Sequence, residues 1–528
     1  MVRTARLLVP IFGVAWLFAA DLKTEAERWW AHVAFLADDK LEGRNTGSEG
    51  YRIAARYVAA EFERNGIAPA GTKGYYQPMN LRALQIDDEK SSLELVRGGK
   101  AEKLSFVEDV NFNLRAGLAP FVEAAAVFVG HGLVIPEANI DDLAGLDLKG
   151  KIAVFLTGAP RHVPSALQAH YSSAGERWKA FRAAGAAGQL SIANPKSMDI
   201  PWERATLARL NPSMVLTDEK LFETPGLRFS ASFNPARADK LFAGTGYSFA
   251  EILQLADASQ PLPKFPLPGA LRARPVVRRS ELESMNVVGR IEGSDARLKQ
   301  EHVVLSAHLD HVGVGQPING DRIYNGAMDN ATGIASLLET ARLARERGLK
   351  PKRSLVFLAV TAEEKGLQGS KYFAHYPTVA KDGIVANINM DMFLPLFPLK
   401  YLEVQGLDES TLGDVIRAVA QRHGVEAIAD QEPARNRFIR SDQYSFIRQG
   451  VPALAFKFGF APGSPEQQTM KDWLRERYHA PSDDLTQPVD KEGAARFNRI
   501  LVDLLAEIAN APDRPRWKDG SFFKRFAR

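Results

Sequence analysis

Three continuous apolar runs in the second half of the chain, at 303–305, 354–360 and 384–388, each stop just short of a residue able to bind a metal. A strand buried on both faces reads as such a run, and the central sheet of an α/β domain buries its strands in this way. The first run leads to His308, the second to Glu363 and Glu364, and the third to Asp391. Ligands placed after such runs lie at the carboxyl ends of strands, where open α/β sheets bind their ligands. Helical patterns fill the intervals. Ile334, Leu337, Leu338 and Ala341 follow the i, i+3, i+4, i+7 spacing after Asp329, with Gly348 as a stop. Leu412, Val415, Ile416 and Val419 repeat it, and Phe497, Ile500, Leu501, Leu504, Leu505 and Ile508 mark a long buried face. Another apolar run at 451–456 adds a strand. The alternation predicts an α/β sandwich, helices on both sides of a mostly parallel sheet.

Five stretches carry the chemistry: AHLDH at 307–311, GAMDNATG at 326–333, TAEEKGLQGS at 361–370, NMDM at 389–392 and RYHAPSDD at 477–484. They offer His308, Asp329, Asp391, His479 and one glutamate of the 363–364 doublet as metal ligands, with the other glutamate as a spare acid. Spacing alone does not say which is which. Zinc takes imidazole nitrogen and carboxylate oxygen and keeps a position open for water at catalytic sites. The imidazoles disfavour calcium and magnesium. Each stretch alone has an ordinary explanation: Asp329 can cap a helix, the glutamates can complement a helix dipole, and His479 can sit in a loop. Their joint occurrence, most of them at strand ends, points to a metal site. His308 and Asp310 are two apart, so in extended chain they project to the same side. Asp310 is thereby placed to orient His308 with its carboxylate rather than to bind metal.

Taken in this order, and with LADDKLEGRNTGSEG at 36–50, the stretches resemble metallopeptidase family twenty-eight, di-zinc exopeptidases related to transferrin-receptor-like and glutamate-carboxypeptidase-like proteins. The resemblance covers most of the chain. It implies two Zn2+ ions, with His308 and Asp391 on one, Glu364 and His479 on the other, and Asp329 bridging. It also implies that Glu363 is the general base, that Asp310 is the partner of His308 and that Tyr478 stabilises the oxyanion. The activity implied is removal of N-terminal residues from peptides. A carboxypeptidase or dipeptidase on the same fold is the first alternative, for which Arg435, Arg437 and Arg440 would supply cations. A one-zinc glutaminyl cyclase and an inactive receptor-like binding protein are the others, and the complete ligand set with Glu363 speaks against both. Phe438, Tyr444 and Phe446 are candidate walls of a substrate pocket, or core residues.

At 528 residues the chain predicts more than one domain. The segment 116–275 carries no ligand cluster, and its strand-like runs at 124–129 and 152–156 resemble the protease-associated domain inserted in this family. Its end, 260–275, holds five prolines and reads as a linker. His131 there, between glycines, reads as a turn residue. The peptidase part is then discontinuous, 21–115 and 276–512. Arg3 and Arg6 before an apolar stretch at 7–20 read as a signal peptide over 1–20, too short for a stable membrane span, with an uncleaved anchor as the alternative. There is no cysteine, hence no disulfide and no thiolate ligand. A periplasmic or secreted bacterial enzyme fits these features. The net charge of +4 resides in the last sixteen residues, which hold six basic and two acidic side chains. A neutral body argues against nucleic acid. The basic tail 513–528 also carries Trp517, Phe522, Phe523 and Phe526, which are expected to pack on the body rather than on a membrane.

Overall fold

The structure, a computed structural model, describes residues 12–198, 200–435 and 437–527, with side chains described from residue 22 on apart from those at 208 and 434. The expected targeting segment is thus mostly outside the described residues. Among those described, no helix is long and apolar enough to cross a membrane.

The apolar runs form the parallel centre of a ten-stranded sheet. Ser354–Val360, His302–His308, Ile384–Asn389 and Ala453–Gly459 lie side by side and parallel. Alternate residues of these strands face opposite layers. Val303, Leu305, Ala307, Leu355, Phe357 and Ala359 pack in a core with residues of the helices Phe12–Leu36, Glu49–Arg64, Thr332–Glu346 and Lys491–Asn510. Val304, Val356, Leu358 and Val360 pack on the other face with Phe373 and Phe446, from the helices Gln368–His375 and Gln443–Ile447. Two buried faces explain why the runs are apolar throughout instead of alternating.

The sheet is more mixed than expected. Val277–Ile291, Tyr76–Ile86 and Ser213–Leu216 continue it antiparallel on one side, and Tyr401–Gln405 does so on the other. A second, eight-stranded sheet draws all its strands from Ser92 to Arg274. Two boundaries therefore differ from those read in the sequence. The hairpin of Ser92–Arg97 and Lys100–Lys103, turning through Gly98 and Gly99 at positive φ, pairs into this second sheet, which starts well before residue 116. The proline-rich stretch is no free linker either: Phe265–Arg274 is a strand, with a register shift between Pro266 and Ala270 that accommodates its prolines.

His131 does sit in a turn, but it is buried, with Nδ1 3.2 Å from the Leu156 carbonyl oxygen. The tail packs on the body as expected. Phe523 is fully buried and Trp517 nearly so, against Ile439, Tyr444 and Ile447.

Candidate metal centre

All five expected ligands meet at one end of the parallel strands. His308 closes its strand, Asp391 follows Asn389 by two residues, and Glu363 and Glu364 occupy the turn after Val360. Asp329 precedes the helix Thr332–Glu346, and His479 follows the helix Pro465–Glu476.

His308 Nε2 lies 3.1 Å from Asp329 Oδ1 and 3.3 Å from Asp391 Oδ1. His479 Nε2 lies 3.3 Å from Asp329 Oδ2 and 3.1 Å from Glu364 Oε2. A tetrahedral zinc with bonds of about 2.0 Å needs its donors about 3.3 Å apart. Both sets meet that spacing, and each uses a different oxygen of Asp329, the arrangement of a bridging carboxylate. Charge agrees with geometry. Burial lowers the proton affinity of His308, but Glu363, Asp329 and Asp391 outweigh it and hold the imidazole well above its ordinary pKa. His479 is likewise raised to about 10, with Glu364 and Asp329 overcoming burial. The acids around both imidazoles call for positive charge, which a pair of divalent cations supplies.

The supports of these ligands differ in part from expectation. His308 Nδ1 is 3.0 Å from the backbone oxygen of Asp310, so it donates there and leaves Nε2 free for metal. The Asp310 carboxylate does not orient His308. It accepts the Thr46 hydroxyl at 3.0 Å and the Glu363 backbone N–H at 3.0 Å, pinning the turn that carries the glutamates. The strand ends at His308, so the extended geometry that would align the two side chains no longer holds at 310.

Four contributors were not singled out from the sequence, although all lie inside the quoted stretches. Asp483 accepts the backbone N–H groups of Met328 and Asp329 at 2.9 and 3.0 Å. Thr46 holds Asp310, as above. Arg44, buried, donates to the carbonyls of Leu36, Leu309, Asn325 and Gly326, tying the end of the first helix and the turn after His308 to the loop that leads into Asp329. His311 is fully buried and its Nδ1 donates to Glu364 Oε1 at 2.8 Å, while Asp329 Oδ2 is 3.9 Å away. It therefore holds Glu364 and lies within reach of the second metal position. Gly326, at φ +62°, makes room for it: a Cβ there would fall 2.5 Å from the imidazole.

Glu363 and Tyr478 line a cleft of about 1050 Å3 between the two sheets' units, together with Arg115, Glu223 and Tyr444. Burial raises the Glu363 carboxyl well above the usual range; His308 opposes the rise, and Asp391, Asp442 and Glu364 add to it. The Tyr478 ring lies against that of His479, tilted by 37° with centroids 4.1 Å apart. The three expected wall residues separate. Tyr444 reaches the cleft, but Phe446 is core against Phe373, because the inner face of its helix points at the sheet. Phe438 packs on Phe523 of the tail and not on the metal centre.

The sequence profile described as Peptidase family M28 matches residues 286–505. Rat carboxypeptidase Q is 34% identical over 117 residues, 22% of this chain and 22% of that protein's own length. A probable zinc metalloprotease of Pyrenophora tritici-repentis is 26% identical over 259 residues, 43% of this chain and 58% of the relative. Among solved structures, an aminopeptidase from Aneurinibacillus sp. strain AM-1 superposes with a TM-score of 0.54 at 20% identity, covering 93% of this chain and 95% of its own. A zinc aminopeptidase from Bacillus subtilis does so with a TM-score of 0.50 at 17% identity, covering 95% and 98%. These likenesses show a shared fold.

Proposed function

We propose that this chain, whose residues 286–505 belong to peptidase family M28, is a two-zinc exopeptidase that removes N-terminal residues from peptides. The observation that carries this reading is the pair of donor sets sharing Asp329, with the non-ligating Glu363 beside them. His308 and Asp391 would hold one zinc, Glu364 and His479 the other, and Asp329 would be shared by both. Bound there, zinc supplies a Lewis acid for the substrate carbonyl and makes water a nucleophile near neutral pH.

The chain's own residues do the rest. The Glu363 carboxylate has no hydrogen-bond partner among the described residues and opens to the cleft, so it is free to take the proton of the attacking water. Having taken that proton, it can return it to the leaving amine. The Tyr478 hydroxyl, in the same cavity, donates to the oxygen on which negative charge develops. Asp310 keeps Glu363 in place through its backbone. The unit of residues 92–274, which takes in the greater part of the segment 116–275 read as a protease-associated insert, forms the far wall of the cleft.

The name of the rat relative makes a carboxypeptidase the second reading. The arginines it would use are largely spent: Arg435 and Arg437 pair with Glu432 at 3.2 and 2.6 Å. A peptide panel tests the direction. The zinc-loaded enzyme should release N-terminal residues from free and C-amidated peptides and leave N-acetylated ones intact. Release from the carboxyl end, blocked by amidation, would overturn the proposal in favour of the second reading.

A further inference from the structure

The metal cavity does not end at the ligands. A space of about 80 Å3 touching Asp329, Asp391 and His479 continues past Met392 to Gln405 and Lys457. This extension is polar and cationic, with Gln405 and Lys457 on neighbouring antiparallel strands. Lys457 lies in the fully buried strand Ala453–Gly459, and its ammonium has one acceptor, the Met392 carbonyl oxygen at 3.1 Å. An ammonium has three donors, so two are left without a protein partner among the described residues.

No carboxylate lies within 4 Å of Lys457 among the described residues. Its cross-strand neighbour Glu403 is approached by Arg437 instead, at 3.9 Å. Gln405, 3% exposed, lines the same space, and its side-chain amide has no hydrogen-bond partner among the described residues. Three acids line the space: Asp329 and Asp391, both spent on metal in the exopeptidase reading, and Glu363, its general base. A buried ammonium and a buried amide without partners are costly unless something else satisfies them. Met392, Ala455 and Leu474 supply apolar wall, and Arg437, Arg440 and Gln443 add further polar lining.

We propose that this pocket receives the side-chain carboxylate of the substrate residue bound at the metals, with the Lys457 ammonium and the Gln405 amide as its donors, so that terminal Asp and Glu are preferred. The inference rests on the exopeptidase reading and goes beyond it by naming the substrate class. A carboxylate offers the acceptors and the negative charge that these two side chains lack, and a charged hydrogen bond is the stronger kind. An aliphatic side chain would leave both groups unsatisfied, the situation in which polar sites discriminate most strongly.

The test uses the full chain loaded with zinc. The ratio of kcat/KM for Glu-Ala-amide or Asp-Ala-amide to that for Leu-Ala-amide should be about tenfold or more in favour of the acids. Lys457→Met, close in shape and uncharged, should reduce that ratio by about tenfold, and Gln405→Leu should reduce it less. Calorimetry reads the pocket without turnover: L-glutamate or L-aspartate should bind the wild type more tightly than L-leucine, and Lys457→Met should remove the difference. Preference for Leu, or a ratio that Lys457→Met and Gln405→Leu leave unchanged, would overturn the proposal. So would a Lys457 effect that follows a free C-terminal carboxylate (Leu-Ala against Leu-Ala-amide) instead of the side chain. Hydrolysis of Leu peptides with no acid preference sinks this inference alone. If no free peptide is cleaved, the exopeptidase reading fails, and the binding comparison still decides the pocket.

Discussion

Glu363 and Glu364 are adjacent carboxylates with opposite proton chemistry. Burial raises both, but Glu364 faces His479 and His311, whose charge and hydrogen bonds hold it well below the usual range. Glu363 has no such partner and stays well above it. Glu363→Gln should therefore keep both zinc ions and lose about 10²–10⁴-fold in kcat, the usual worth of general-base catalysis. Glu364→Gln should instead weaken zinc binding, with activity partly restored by excess zinc. Metal analysis beside kinetics on the two variants checks this, and zinc loss from Glu363→Gln with retention in Glu364→Gln would invert the assignment. Four of the five ligands were legible in the sequence because each lies at the end of an apolar run or ahead of a helix; His479 follows a helix and was legible only through the stretch that carries it. The division of labour in the doublet was not, since it depends on which neighbour each carboxylate meets. His311, Arg44 and Asp483 escaped for the same reason: the glutamate that His311 bonds is 53 residues away, three of the four carbonyls Arg44 meets are 265 or more away, and the Asp483 contacts with the Asp329 loop span 154 or more.

At the scale of elements, the tail is a brace and not an appendage. Trp517 donates its indole N–H to the Gly450 carbonyl at 3.0 Å, and Phe523 packs on Phe438 and Trp517. Arg525 pairs with Glu137 across the second unit. Phe523→Ala should cost about 3–5 kcal/mol, the usual loss for a buried aromatic, read as a fall in the urea midpoint. An unchanged midpoint would show that the tail does not contribute to the fold. The parallel strands were legible as elements because burial on two faces leaves an unbroken apolar run. The strand Phe265–Arg274 was hidden by its prolines, which a bulge tolerates. The hairpin around Gly98 and Gly99 carried a readable turn signal, but its sheet partners lie about 175 residues further along.

At the scale of the molecule, His131 and His302, two of the buried histidines outside the metal centre, tie stability to pH. Burial lowers His131 to about 4, helped by Arg177 and opposed by a hydrogen bond to Leu156. Burial also lowers His302 to about 4, with Arg290 assisting and Glu301 opposing. Unfolded, each titrates at about 6.5. Above that pH both are neutral in either state and cost nothing. As pH falls from about 6.5 towards about 4 the unfolded chain takes up protons that the folded one refuses, so stability falls, by about 2–3 kcal/mol for each group. Denaturation midpoints between pH 4 and 7 should therefore drop less steeply for the double variant His131→Gln, His302→Gln than for the wild type. Equal slopes would mean that these histidines are not held neutral.

The central claim is that two donor sets share Asp329, and zinc titration tests it most directly. Apo-protein prepared by chelation should be inactive, bind two zinc ions per chain by elemental analysis, and regain full activity only as the second equivalent is added. Asp329→Asn should weaken both sites together. Full activity at one zinc per chain, or an Asp329→Asn variant that loses one ion and keeps the other at unchanged affinity, would contradict the account.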